Sequence, residues 1–170
     1  MTVDSERLAA ATSALGRGQW ELARDGFAAV IAVGEDAAAR EGQAFAARML
    51  GQHDASFAAY ERAYRLYRAA DDVPGAARVA TWLGYNHEVL RGDFAVASGW
   101  YARAHRLIDD RPLSVEHAWL AIREASRLLS GGLDPDRGRQ LAQLATVAAA
   151  AAGDVEVETV GRSLEGWRWW

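Results

Sequence analysis

The chain has 170 residues, 51% of them apolar and 25% charged, with three prolines, a balance that suits one packed domain or short array and excludes a disordered or fibrous chain. It has no cysteine, and all nineteen basic residues are arginine, so disulfides, thiolate chemistry, lysine Schiff bases and the lysine of a phosphate-binding loop are excluded. The net charge of −4 disfavours a general nucleic-acid binder, which would carry a basic domain.

From the N-terminus, Met1-Thr2-Val3-Asp4-Ser5-Glu6 is acidic where a secretion signal would be basic and then apolar. No stretch approaches the ~20 uninterrupted apolar residues of a membrane span. A cytoplasmic protein is expected, and the alanine and arginine bias suits a GC-rich bacterial genome. Helical spacing then appears at Trp20, Ala23, Phe27 and Val30, and again at Phe57, Tyr60, Tyr64 and Tyr67. It is clearest after Gly92-Asp93, where Phe94, Ala97, Tyr101, Ala104 and Ile108 mark one apolar face. Val157, Val160, Leu164 and Trp167 form a last stripe, so residues 154–168 are predicted helical. Strand-like alternation is lacking, and the fold class is all-α.

Breaks fall at Gly16-Arg17-Gly18, Gly34-Glu35-Asp36, Gly51 to Asp54, Asp71 to Gly75, Arg91 to Asp93, Asp109 to Pro112, Gly131 to Pro135 and Gly153-Asp154. Glycine ends a helix in the left-handed conformation and a following aspartate caps the next. Asp71-Asp72, Asp109-Asp110 and Asp134-x-Asp136 are therefore expected to be caps, with Pro112 and Pro135 in first helical turns. About nine helices joined by short loops result, with no linker dividing the chain.

A pattern of small and aromatic residues recurs along these helices. Gly18, Ala23, Phe27 and Val30 return 33 residues later as Gly51, Ser56, Tyr60 and Ala63. After 41 more come Gly92, Ala97, Tyr101 and Ala104, and after another 41, more weakly, Leu133, Gly138, Ala142 and Ala145. Such a period marks stacked helical hairpins, none of which buries its apolar face alone. The small residues and Phe27, Tyr60 and Tyr101 are read as core.

Glycine, then alanine, an aromatic and alanine at these spacings, preceded by Trp82-Leu83-Gly84, resembles the tetratricopeptide repeat. The run from Ala63-Tyr64-Arg65-Leu66-Tyr67 through Gly75 to Gly84 and on to Arg91-Gly92-Asp93 is similar to the helical sensor region of LuxR-type bacterial transcription regulators. Glu116-His117-Ala118-Trp119-Leu120 and Gly153-Asp154-Val155-Glu156 extend the likeness, which covers most of residues 17–166. The resemblance implies a right-handed stack of antiparallel hairpins, a TPR-like α-solenoid over residues 1–170. Its repeats run roughly over 4–34, 35–70, 72–110 and 112–152, with an extra helix at 154–168. The family's ATPase and helix-turn-helix have no counterpart here: no Gly-x4-Gly-Lys-Ser/Thr and no basic helix-turn-helix occurs. Direct DNA binding and ATP hydrolysis are thus not implied, and the chain reads as a segment of a longer regulator or a stand-alone relative.

Candidate chemistry is sparse. His87-Glu88 lacks the second histidine of a zinc motif, since position 91 is Arg91, and His53, His105 and His117 show no ligand spacing. No nucleophile elbow occurs. No catalytic residue, metal or cofactor is expected. The resemblance places a ligand on the face lined by the first helix of each pair. Counting back from the terminal glycines puts Glu41, Phe45 and Arg48 there, then Trp82 and Asn86, then Arg123 and Arg127. Asparagine flanked by arginines bonds backbone amides and carboxylates. The competing reading makes Arg48, Arg123 and Arg127 ordinary surface residues pairing with Glu124 or Glu41 for a few tenths of a kcal/mol.

These readings favour a non-catalytic scaffold, a sensor-like module for a protein or peptide partner, acidic or ending in a carboxylate, or for a small ligand, with no membrane involvement. The apolar stripe running into Trp167-Arg168-Trp169-Trp170 points to a homodimer through the C-terminal helix, with Val157, Val160, Leu164, Trp167 and Trp170 at the contact. The alternatives are a purely structural dimerisation unit and a small helical-bundle enzyme.

Overall fold

The expected helical spacing is realised throughout the described residues. A computed structural model describes residues 3–166, and among these the only regular elements are nine α-helices. They are α1 (Val3–Gly16), α2 (Trp20–Val33), α3 (Ala37–Met49), α4 (His53–Ala69), α5 (Val73–Arg91), α6 (Phe94–Ile108), α7 (Val115–Ser130), α8 (Pro135–Ala152) and α9 (Val155–Glu165). Among the described residues no helix is long and apolar enough to cross a membrane.

The helix boundaries follow local chemistry. Asp36, Asp72, Asp93, Asp134 and Asp154 each accept a hydrogen bond from the backbone N–H three residues on, at 2.7–3.1 Å, satisfying a donor that the first turn would otherwise orphan. At the other end, Gly92 closes α5 at φ 64°, a left-handed conformation that a side chain would strain. The junction between α6 and α7 differs from expectation. Asp109 ends α6 rather than starting α7, and its carboxylate meets His105 instead. Helix α7 begins only at Val115, so Pro112 lies in the loop before it. There Ser114 N–H donates to His117 Nδ1 at 3.2 Å, which requires Nε2–H to be the donor to the Ile108 carbonyl at 3.0 Å.

Each helix packs on its chain neighbour, lightly only at α6 and α7, and contacts also join α1 to α3, α5 to α7 and α7 to α9. Among the described residues the core is accordingly four apolar clusters, spanning α1–α3, α3–α5, α5–α7 and α7–α9 in turn. Ala23, Ser56, Ala97 and Gly138 are buried, as are Phe27, Tyr60 and Tyr101. Phe27 and Tyr101 need room made by glycine on a facing helix. A β-carbon on Gly42 would stand 2.3 Å from the Phe27 ring, and one on Gly84 would stand 2.6 Å from Tyr101. Phe94 departs from its expected role: it opens α6 and is 57% exposed, whereas Ala97, Tyr101, Ala104 and Ile108 are buried.

The final stripe also differs from expectation. Val157 is 3% exposed and sits in the core with α7 and α8, and Leu164 packs against the same cluster. Gly161 lets α9 lie against Thr146 of α8, where a β-carbon would meet Thr146 Oγ1 at 2.7 Å. Val157, Val160 and Leu164 therefore form no continuous exposed patch; of the three only Val160 is exposed. Helix α9 ends at Glu165 with Gly166 as its cap. Trp167 and Trp170, the remaining residues of the expected self-association surface, lie outside the described residues.

Candidate functional site

Helices α3, α5 and α7 bring the sequence-predicted residues to one region and divide them into two groups of opposite character. The first is charge-paired. Glu41 of α3 accepts from Arg78 of α5 in a two-pronged contact, Nε to Oε1 at 2.7 Å and Nη2 to Oε2 at 2.8 Å. The Tyr67 hydroxyl adds a third bond to Glu41 Oε2 at 2.8 Å. On its other side Arg78 lies 3.6 Å from the buried carboxylate of Glu116. Hydrogen bonding to Glu41 strengthens the hold of Arg78 on its proton, and burial beside Glu41 pushes the Tyr67 hydroxyl up. Every charge here has its complement.

The second group is not so balanced. Phe45, Trp82 and Tyr85 form an aromatic run across α3 and α5, with ring centroids 5.7 Å and 5.8 Å apart and near-perpendicular planes. Two guanidinium groups rest on it. Arg123 of α7 lies 4.1 Å from the Tyr85 centroid, 4.8 Å from that of Trp82 and 5.1 Å from that of Trp119. Arg48 of α3 lies 5.3 Å from Tyr85 and 5.8 Å from Trp82. Cation–π contact accounts for their placement but neutralises neither. Among the described residues neither arginine has a carboxylate partner. Burial works against the charge of Arg123, and the charge of Arg48 adds to that.

Asn86 completes this group. Its side chain is 1% exposed, and its Oδ1 accepts from Arg48 Nε at 2.9 Å. An arginine can only donate, so the amide orientation is determined, and Nδ2 is left buried with no partner. The Tyr60 hydroxyl is a second orphan: it is fully buried, unbonded, and lies in the fields of Glu41, Arg48 and Arg123. It borders a cavity of about 280 Å3 whose walls include Glu41, Phe45 and Trp82. Unsatisfied buried polar atoms are uncommon in folded chains and call for an explanation.

Arg127 stands one turn beyond Arg123, over a groove of about 680 Å3 between α5 and α7. Its Nη1 reaches Ser98 Oγ at 3.5 Å, while its Nε is buried and unpartnered. Glu88 lines the same groove, and burial raises its pKa although the Tyr101 hydroxyl donates to it at 3.2 Å.

The arrangement thus gathers Phe45, Arg48, Trp82, Asn86 and Arg123, with Arg127 adjoining, and turns Glu41 to a structural pair. The competing surface-pair reading is not what the side chains do, because Glu41 is taken by Arg78 and Glu124 by His105 Nε2 at 2.8 Å. Sequence reasoning did not single out Tyr85, Arg78 or Tyr60 for this site. Tyr85 had a signal, its spacing of three from Trp82 on one helix face. The orphaned state of the Tyr60 hydroxyl had none, since only the packed structure shows what a hydroxyl fails to reach. Among the described residues no three His, Asp or Glu side chains are grouped to hold a metal. Chemically, the site offers aromatic plates, fixed cations and an unused amide donor, groups whose chemistry suits an anion. No known protein family matches the chain, and no curated protein and no solved structure does either.

Proposed function

We propose that the chain is a non-catalytic binding module, a TPR-like array whose α3–α5–α7 face holds the anionic group of a ligand between Arg48, Asn86 and Arg123. One observation carries this reading: two guanidiniums share an aromatic platform with no carboxylate, beside a buried amide with an unused N–H2 donor. An anion bound there removes the mutual repulsion and supplies the acceptor that Nδ2 lacks. The repeat reading is supported by the helix pairs α1–α2, α3–α4, α5–α6 and α7–α8, which fall within the four sequence repeats. The likeness to LuxR-type sensor segments makes a regulatory setting the natural one, with ligand occupancy read out by a partner protein. A homodimer through α9 has less support, since among its described residues only Val155 and Val160 present large exposed apolar side chains.

The test is a thermal-shift screen of carboxylate-bearing peptides and metabolites, followed by titration of any ligand against Arg48→Gln and Arg123→Gln. Each lost charge-assisted bond should weaken binding by about 1.5–3 kcal/mol while the fold is kept. Wild-type affinity in both variants would place the site elsewhere.

A further inference from the structure

The anion site does not end at Arg123. The same side chain and its neighbour Tyr85 also line the α5–α7 groove, whose volume of about 680 Å3 is that of a small-molecule pocket rather than of a long peptide channel. Its floor and rim are apolar and exposed: Val89 is 47% exposed, Phe94 57% and Leu133 71%. Phe94 and Leu133 are the residues that leave the repeat pattern, Phe94 by facing out at the start of α6 and Leu133 by standing where the earlier repeats have glycine. Side chains of this size exposed around one concavity mark an interaction surface.

The charges in the groove are asymmetric. Glu88 on the α5 wall faces both Arg127 and Arg123 on the α7 wall, one carboxylate against two guanidiniums, and Arg48 behind Arg123 adds a further positive charge at that end. The groove is lined by no asparagine or glutamine, the side chains that would pair with a peptide backbone, and its serines Ser126 and Ser130 lie on α7 alone. The shape is cationic at one end and oily along the rest.

We infer that the ligand is a small amphipathic carboxylate, its head between Arg48, Asn86 and Arg123 and its apolar tail along Tyr85, Val89, Phe94 and Leu133. This rests on the anion-site reading above and adds the tail. Planar carboxylate matches the guanidinium fork, and the tail removes from water the apolar side chains that now face it.

Titration calorimetry of the full chain, with tryptophan fluorescence reporting on Trp82 and Trp119, tests this with four probes: acetate, decanoate, decanol and a short peptide ending in leucine with a free carboxylate. Decanoate is expected to bind best, with affinity along the series from acetate rising about two- to fourfold per methylene. Leu133→Ser and Val89→Ser, both at exposed positions, should weaken decanoate several-fold and leave acetate unchanged. Arg123→Gln should weaken both carboxylates alike, by about ten- to a hundredfold. Equal binding of acetate and decanoate, or no effect of Leu133→Ser, overturns the tail groove and leaves the anion site standing. Preference for the peptide also overturns the small-molecule inference and assigns the face to a chain terminus. Decanol binding as well as decanoate, with Arg123→Gln silent, overturns the anion site itself. Failure of all four probes to bind overturns both.

Discussion

The two halves of the α3–α5–α7 face are built from the same residue types and differ in how their charges close. Around Arg78, Glu41 occupies two guanidinium donors, Tyr67 fills a lone pair of the carboxylate and Glu116 waits behind. Around Arg123 and Arg48, aromatic rings supply attraction and a neutral amide supplies one bond, but no acid enters. A buried charge costs folding free energy unless it is compensated. A closed network is explained by stability alone, whereas an open one leaves a deficit that a ligand can fill. On the proposed function the difference is between a joint and a site, although arginine, tyrosine and a polar partner occur in both.

The largest effect should come from opening the closed half. Glu41→Ala leaves Arg78 with the longer contacts to Glu116 at 3.6 Å and to the Tyr67 hydroxyl at 3.5 Å, and strips that hydroxyl of its acceptor. Because Arg78 is 38% exposed, water recovers part of the loss, and a destabilisation of about 2 kcal/mol is expected in urea unfolding. A change below about 0.5 kcal/mol would mean that the network is not structural, and the contrast would fail on that side.

Closing the open half is the converse. Asn86→Asp keeps the shape, gives Arg48 a true counter-ion and replaces the orphaned Nδ2 donor with an acceptor among cations. The variant should be about 1 kcal/mol more stable than the parent and should no longer bind an external anion, a trade of function for stability. Retained anion binding in a stabilised Asn86→Asp would show that Arg48 and Asn86 are not where the ligand sits.

A smaller effect lies at a second closed joint, where α6 and α7 touch only lightly. His105 Nε2 meets Glu124 at 2.8 Å and Nδ1 meets Asp109 at 3.0 Å. The hydrogen bond to Glu124, then that to Asp109, raises its pKa to about 9 from 6.5 against the opposing effect of burial. A raised folded-state pKa gives stability that is fully present below pH 6.5 and is lost as pH climbs through about 9. The ring is 39% exposed, so screening holds the contribution to the order of 1 kcal/mol. Melting curves from pH 6 to pH 10 should slope down over that window, more steeply than those of His105→Gln; parallel slopes would remove the joint.

Much of the helical plan could be read from residue order, because capping and periodicity are local. Asp36, Asp72 and Gly92 act through bonds three to five residues away. The exceptions show where locality ends. Asp109 and Asp110 look like caps, but a histidine one turn back and a serine farther on settle that corner. Val157 and Leu164 pack in one cluster, as their spacing implies, yet no periodicity says whether a stripe meets solvent or α7 and α8. For the candidate site, helix face was legible and pairing was not. Glu41 and Arg48 sit two turns apart on one helix, and their different fates depend on Arg78 and Asn86, 37 and 38 residues along the chain from them.

The finest test of the contrast uses two tyrosines of one helix. Tyr67 and Tyr60 lie two turns apart on α4 and both have hydroxyls made harder to ionise by burial. The Tyr67 hydroxyl donates to Glu41 at 2.8 Å, and that of Tyr60 has no partner. Removing a donor to a charged acceptor should cost Tyr67→Phe about 1 kcal/mol after allowance for solvent access. Removing an orphaned hydroxyl takes away a desolvated group that receives nothing in return, so Tyr60→Phe should be neutral or slightly stabilising in the free protein. In the presence of ligand the order should invert. A hydroxyl left unpaired among Arg48, Arg123 and Glu41 is available to a bound anion, so Tyr60→Phe should weaken binding while Tyr67→Phe leaves it near the parent value. Stability and affinity measured together on the two variants separate the joint from the site with one oxygen atom each. Equal losses of stability would mean that the Tyr60 hydroxyl has a partner in solution, and the open half would then be less open than its geometry states.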